Sequence, residues 1–131
     1  KTSELELDVV QSKTRVTRMV SRVPLRLLET GLHTQDVEIQ LATYGGGILQ
    51  GDQVGLNIRC GDQTGLILKS QANTHVYKNE TGKEAVQIVT GTCGEQTMVH
   101  VLPEPVVLHT GAIFRQDQVW NLCDSTDFIL V

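Results

Sequence analysis

Apolar and polar residues alternate with a period of two along much of this chain. Leu5, Leu7 and Val9 are interleaved with Glu4, Glu6 and Asp8, and Val37, Ile39 and Leu41 with Glu38 and Gln40. Val54, Leu56, Ile58 and Cys60 alternate with Gly55, Asn57 and Arg59, while Val86 and Ile88 flank Gln87. Successive side chains of a strand point to opposite faces, so the pattern predicts strands with one apolar and one polar face. Runs rich in β-branched residues predict further strands at Arg15–Val20, Gly65–Ser70, Thr97–Leu102, Val106–His109, Phe114–Leu122 and Phe128–Val131. Turn signals lie between them at Gly31, Gly45–Gly47, Gly61-Asp62, Thr81-Gly82, Gly91, Gly94 and Gly111. A strand every 10–12 residues or so is the spacing of meandering antiparallel sheets. No window carries a sustained 3.6-residue apolar period; a short helical turn over Arg22–Thr30 is the one candidate, and Pro24 weakens it. The expectation is an all-β fold of stacked antiparallel sheets, helicoidal or sandwich-like, with very little helix. Residues 1–131 form a single β domain in this reading. The similar strand–Gly–strand units hint at layered stacking, although no period repeats cleanly.

Composition narrows the function classes. Five aromatics, Trp120, Tyr44, Tyr77, Phe114 and Phe128, leave an aliphatic core. The net charge is −4, and Lys13, Arg15, Arg18, Arg22 and Arg26 are spread as a solvated face, so no basic surface for nucleic acid is offered. No stretch approaches the roughly 18–20 apolar residues that cross a bilayer, and Lys1–Val10 lacks the basic-then-apolar order of a signal peptide. Cys60, Cys93 and Cys123 are odd in number and far apart, unlike a zinc site or a disulfide scaffold. Free, mostly buried thiols in a reducing compartment fit that usage, so the expected location is cytoplasmic. The sequon Asn79-Glu80-Thr81 would matter only in a secreted protein. The strand Asp127–Val131 has no turn after it, which predicts that the chain is a piece of a longer protein.

Three stretches are distinctive. In Tyr44-Gly45-Gly46-Gly47-Ile48-Leu49-Gln50-Gly51-Asp52, consecutive glycines permit positive φ and close backbone approach. A phosphate loop would need Lys then Ser or Thr after Gly51, where Asp52 and Gln53 stand, and a dinucleotide fingerprint would need a glycine at Gln50. The stretch is therefore either a plain strand-to-strand loop or a functional loop carrying Asp52. The second stretch, Leu68–Lys78, is polar for a segment between strands and suits a bulged edge held by side-chain hydrogen bonds. In the third, Leu102-Pro103-Glu104-Pro105-Val106-Val107, Pro103 and Pro105 remove two donors, so it is an edge strand or a strand entry with Glu104 exposed. His33, His75, His100 and His109 are the candidates for binding a transition metal, but no two are spaced for a local chelate. Taken singly, each reads as a structural or surface residue. No serine sits in a G-x-S-x-G elbow, and nothing identifies an enzyme.

Tyr44–Asp52, Gln71–Lys78 and Leu102–Val106, in this order and at these separations, resemble the UreD (UreH) family of urease accessory proteins. The similarity continues through Gly111-Ala112-Ile113-Phe114-Arg115-Gln116 and covers the chain from about Val37 onward. One departure is His75, where the family commonly has Lys. Members of the family are considerably longer, so the chain resembles their N-terminal part. The resemblance implies a β-helicoidal scaffold with no reaction of its own. It also implies partners: a UreF-type accessory protein, a UreG-type GTPase and apo-urease. No cofactor would be bound permanently; nickel would be in transit, and GTP would be involved only through the partner GTPase. A transit route needs weak, exchangeable oxygen or imidazole ligands. On that basis Asp52 is the first metal-path candidate, with His75 and Glu104 next, and Gly45, Gly46, Gly47, Gly51, Pro103 and Pro105 are structural motif residues.

Two other classes compete. A β-sandwich module recognising a carbohydrate or a protein edge would present an exposed aromatic platform, which the burial of Trp120 would argue against. A small metal-dependent hydrolase would bind metal tightly and stoichiometrically and turn over substrate unaided.

Overall fold

The computed structural model describes residues 2–30 and 35–131. The expected turn at Gly31 and the candidate ligand His33 lie outside the described residues. Among the described residues, thirteen strands run in chain order: β1 (Thr2–Val10), β2 (Lys13–Val20), β3 (Leu25–Glu29), β4 (Val37–Thr43), β5 (Gly47–Ile48), β6 (Gln53–Cys60), β7 (Gly65–Ser70), β8 (Thr74–Val76), β9 (Ala85–Cys93), β10 (Met98–Leu102), β11 (Val106–Leu108), β12 (Phe114–Asn121) and β13 (Asp127–Leu130). A single 3₁₀ turn, Tyr44–Gly46, accompanies them among the described residues. The fold is all-β, as expected.

The pairing is not that of a meander. Three sheets form, ordered β12-β9-β6-β1-β2, β13-β10-β7-β4-β3 and β11-β8-β5. Among the described strands, β1–β2 and β3–β4 are antiparallel, and every other neighbour is parallel. The chain visits the second, third and first sheets in turn, so each strand returns beside its predecessor one coil later. Alternation looks the same in parallel and antiparallel strands, so the sequence pattern alone does not separate the two.

The coil length explains why no period was visible. Val37 pairs with Leu66, Gly65 with Met98, and Met98 with Asp127, so the middle coil is longer than those flanking it. The excess lies at one corner. The link from β8 to β9 runs from Tyr77 to Glu84, whereas the matching link from β5 to β6 runs only from Leu49 to Asp52.

The first and second sheets share one core. Leu5, Leu7, Leu56 and Ile58 enter it from the first sheet, and Val37, Ile39, Leu66, Leu68 and Val99 from the second. Each such side chain contributes about 1.5–3 kcal/mol relative to remaining in water. The helical turn expected over Arg22–Thr30 is instead β3: Leu25 and Leu27 are buried either side of exposed Arg26, a period of two. The outer face of the first sheet carries the charges. Arg18 pairs with Glu4 at 3.0 Å, and Arg59 bridges Glu6 at 3.3 Å and Asp8 at 2.8 Å. The arginine-rich strand β2 is thus partly neutralised by its neighbours.

In β9 the apolar face is not the one marked by Val86 and Ile88. Ile88 is exposed, while Ala85, Val89 and Cys93 belong to the core. Gln87 therefore shares the inward face with Val89. Its registered neighbours are Val54 on β6 and Gln116 on β12, so that inward column changes from apolar to polar along the coil.

Candidate functional site

The three distinctive stretches converge on the third sheet and its corners. Gly47 on β5 lies opposite His75 on β8, and His75 lies opposite Val107 on β11. These strands are short because each makes one narrow face of the coil; β11 was expected within the run Val106–His109, whereas β5 and β8 are too short for alternation to reveal. Gly45 has φ 72°, a conformation that L side chains rarely adopt. Gly47 is extended, and its requirement is space: a Cβ there would sit 2.6 Å from the His75 carbonyl oxygen and 2.6 Å from the Tyr77 ring. Gly45 and Gly46 therefore supply positive φ and Gly47 the close approach, with the Tyr77 hydroxyl directed at the Gly45 carbonyl 3.4 Å away.

Beyond β11 the chain is held to β8 by a hydrogen bond from the His109 N–H to the Val76 carbonyl, 2.9 Å long. That places His109 beside His75, with Nδ1 of His75 and Nε2 of His109 3.0 Å apart. The Tyr77 ring stacks on His75 and meets His109 edge-on at a centroid distance of 5.0 Å. His109 is exposed and His75 half-buried, so the pair is open to solvent. The sequence marked both histidines as ligand candidates but offered no sign of their meeting, because thirty-four positions separate them.

A second feature lies between the sheets. A cavity of about 80 Å³ is lined by apolar side chains and by Thr43, Ser70, Thr74, Gln87, Gln116, Gln118 and Glu104. Gln116 donates to Gln87 at 2.6 Å, and the Trp120 indole N–H donates to Gln118 at 3.0 Å. Most of the lining surface is apolar, and the amides and hydroxyls set in it suit a few water molecules, which relieve the cost of enclosing them. Gln87 was missed from the sequence because β9 was assigned the opposite inward face, and Gln116 and Gln118 because no face was assigned to β12.

The candidate metal-path residues separate. Glu104 lies on the corner between β10 and β11 and reaches the cavity lining, flanked by the exposed Pro103 and Pro105. The proline pair is thus a strand entry, and the Pro105 carbonyl accepts from the Thr74 N–H at 3.2 Å. Asp52 closes the corner between β5 and β6. Its carboxylate accepts the Leu49 N–H at 2.8 Å, and its own N–H donates back to the Leu49 carbonyl at 3.1 Å. Gly51, at φ 77°, supplies the left-handed residue in that turn. His100 sits on β10, its Nε2 3.7 Å from the Asp127 carboxylate. Among the described residues, no three His, Cys, Asp or Glu side chains group closely enough to hold a metal ion. Trp120 packs on Phe128 with centroids 5.1 Å apart and against the core, so it is no open platform for a sugar.

Comparison with known proteins gives a consistent picture. A family model described as UreD urease accessory protein matches residues 1–131. The chain is similar to urease accessory protein UreD of Cytophaga hutchinsonii, with 36% identity over 92% of this chain and 42% of that protein. It is also similar to urease accessory protein D of Oryza sativa subsp. indica, at 28% identity over 99% of this chain and 44% of the relative. The corresponding Arabidopsis thaliana protein is 29% identical over 99% of the chain and 46% of its own length. The chain thus spans less than half the length of these curated relatives.

Proposed function

The chain belongs to the UreD family of urease accessory proteins, and from that premise we propose that it is part of a non-catalytic scaffold for urease maturation. In this reading the complete protein binds a UreF-type accessory protein, through it a UreG-type GTPase, and apo-urease, and it assists delivery of nickel to the urease active site. It works in the cytoplasm, and among the described residues no helix is long and apolar enough to cross a membrane. The match of the family model to the whole chain is the observation that carries the proposal.

The interior chemistry supports it. A hydrated divalent cation passes most readily where amide and hydroxyl oxygens replace water one at a time, because a dense set of charged ligands would trap it. The cavity between the sheets offers such oxygens from Thr43, Ser70, Thr74 and three glutamines within a mostly apolar lining, with Glu104 the one carboxylate among the residues that form it. Glu104 is therefore the carboxylate best placed to meet a passing ion. Asp52 braces the turn after the glycine loop, and so acts on the path through the shape of that corner.

Three substitutions in the complete protein separate these roles. Glu104→Gln removes charge at the cavity; Asp52→Asn removes charge but keeps an acceptor for the Leu49 N–H, and Asp52→Ala removes both. The proposal expects the partner complex to co-purify in all three, with reduced nickel in urease for Glu104→Gln and for Asp52→Ala. Loss of the complex itself would make these residues interface or folding residues and would contradict a role on the metal path.

A further inference from the structure

We propose that His75 and His109 form a two-imidazole site on the outside of the third sheet for a divalent late transition metal that takes ligands at right angles, as Ni²⁺ and Cu²⁺ do. The proposal stands on the geometry of this chain and does not depend on the delivery role above.

Strand register fixes the positions. β8 and β11 are parallel neighbours, and the His109 N–H is bonded to the Val76 carbonyl, one residue beyond His75. The two side chains therefore rise from adjacent strands on a framework of main-chain hydrogen bonds. The Tyr77 ring stacks on one imidazole and meets the other edge-on, which limits how either can turn. The absent side chain of Gly47 leaves room for that ring. Such packing holds ligands in place before the ion arrives.

The separation of the nitrogens selects the metal geometry. Two imidazole nitrogens about 2.1 Å from one ion are about 3.0 Å apart when they subtend a right angle, and about 3.4 Å apart in a tetrahedron. The observed separation is 3.0 Å. That separation matches neighbouring sites of a square-planar or octahedral ion more closely than those of a tetrahedral Zn²⁺, and each ring must turn so that its lone pair faces the ion instead of the other nitrogen.

The protons also balance. Without metal, one ring donates its N–H to the other. Coordination requires both facing nitrogens to be bare, so each ring carries its single proton on its outer nitrogen, and a shift of tautomer in the donating ring frees the pair. Two neutral imidazoles then bind with no net proton release. Protons compete for the same lone pairs, so acidification weakens binding. No third His, Cys, Asp or Glu joins the pair among the described residues, so water completes the coordination and the ion stays exchangeable.

The test uses the complete protein titrated with Ni²⁺ alone. Histidine side chains labelled with ¹³C are followed by NMR, and affinity is measured by competition with a weak chelator, in wild type and in His75→Gln, His109→Gln and His75→Lys. Paramagnetic Ni²⁺ is expected to broaden the His75 and His109 ring signals first, ahead of His33 and His100. Each substitution is expected to remove one bound ion, or to weaken it about tenfold or more, since even the loss of an outer-shell partner costs about 10–100-fold. Far-UV circular dichroism confirms that the variants remain folded. Equal broadening of all four histidines, or the same Ni²⁺ isotherm in wild type and the folded variants, would overturn the proposal. Because the NMR arm uses unsubstituted protein, a variant that fails to fold leaves the test intact. Urease activation in the same variants is a separate readout, so failure of the site and failure of the delivery role are distinguishable.

Discussion

Replacing Gly47 by Ala tests the argument that the glycine loop exists for close approach. The new Cβ would lie 2.6 Å from the His75 carbonyl oxygen and 2.6 Å from Cε2 of Tyr77. Carbon contacts settle at about 3.5–4.0 Å, so both neighbours must retreat by roughly an ångström. The tyrosine ring can swing out, but the carbonyl belongs to β8, whose register with β5 pairs Gly47 with His75. Overpacking of this kind costs about 1–3 kcal/mol, and a backbone neighbour places this case in the upper half, about 2–3 kcal/mol. Gly45→Ala is the control. Nothing lies within 4 Å of its would-be Cβ, so its penalty is only that of a side chain at φ 72°, about 1 kcal/mol. With a urea slope of about 1–3 kcal/mol per molar, the Gly47 variant should unfold about 1 M earlier than wild type, and the Gly45 variant by clearly less. Near-UV circular dichroism should also lose Tyr77 signal in the Gly47 variant alone. A Gly45 variant equal to or worse than the Gly47 variant would refute the close-approach argument and leave the φ requirement as the reason for the loop.

Two further outcomes follow from charge and burial. A hydrogen bond from Arg59 holds the Asp8 carboxyl below its ordinary value, so its contribution is present above the usual carboxylate range and disappears as pH falls through the lowered value. Because Asp8 is 41% exposed, Asp8→Asn should cost less than about 1 kcal/mol at neutral pH and nothing in strong acid, as read by urea unfolding; a penalty that persists in strong acid would contradict the pairing. Cys60 and Cys93 are buried opposite one another, and the neighbouring Cys93 sulfur together with burial holds the Cys60 thiol far above the ordinary range. Of the three cysteines, the half-buried Cys123 alone should react with a thiol reagent in the native protein, mapped by mass spectrometry, and native labelling of Cys60 would refute that placement.

The sequence marked the long strands well because they have one wet face and one dry face. Leu5 and Leu7, or Leu56 and Ile58, alternate with charge for a simple physical reason: the outer face of the first sheet is solvent. Two strands of the third sheet were hidden, while the third, Val106–Leu108, was expected from its β-branched run. Gly47–Ile48 and Thr74–Val76 are too short to show a period, and their function in the coil is to turn it. Parallel pairing was hidden too, since it depends on where the chain goes at each corner. Gln87 misled because it faces inward onto a cavity beside Gln116 and Gln118, where the usual rule that the inward face is apolar does not hold. At the site, the glycines and the proline strand entry were legible from backbone chemistry. The meeting of His75 and His109 required a coil of about thirty residues to close, which no local spacing encodes.

The most direct test of the maturation role is urease activity in nickel-supplied cells that lack their own UreD. The complete gene containing this segment would be supplied together with its matched accessory proteins and urease. The account predicts that activity is restored and that the purified urease contains nickel. Soluble protein, with its partners present and urease still without nickel, would contradict it.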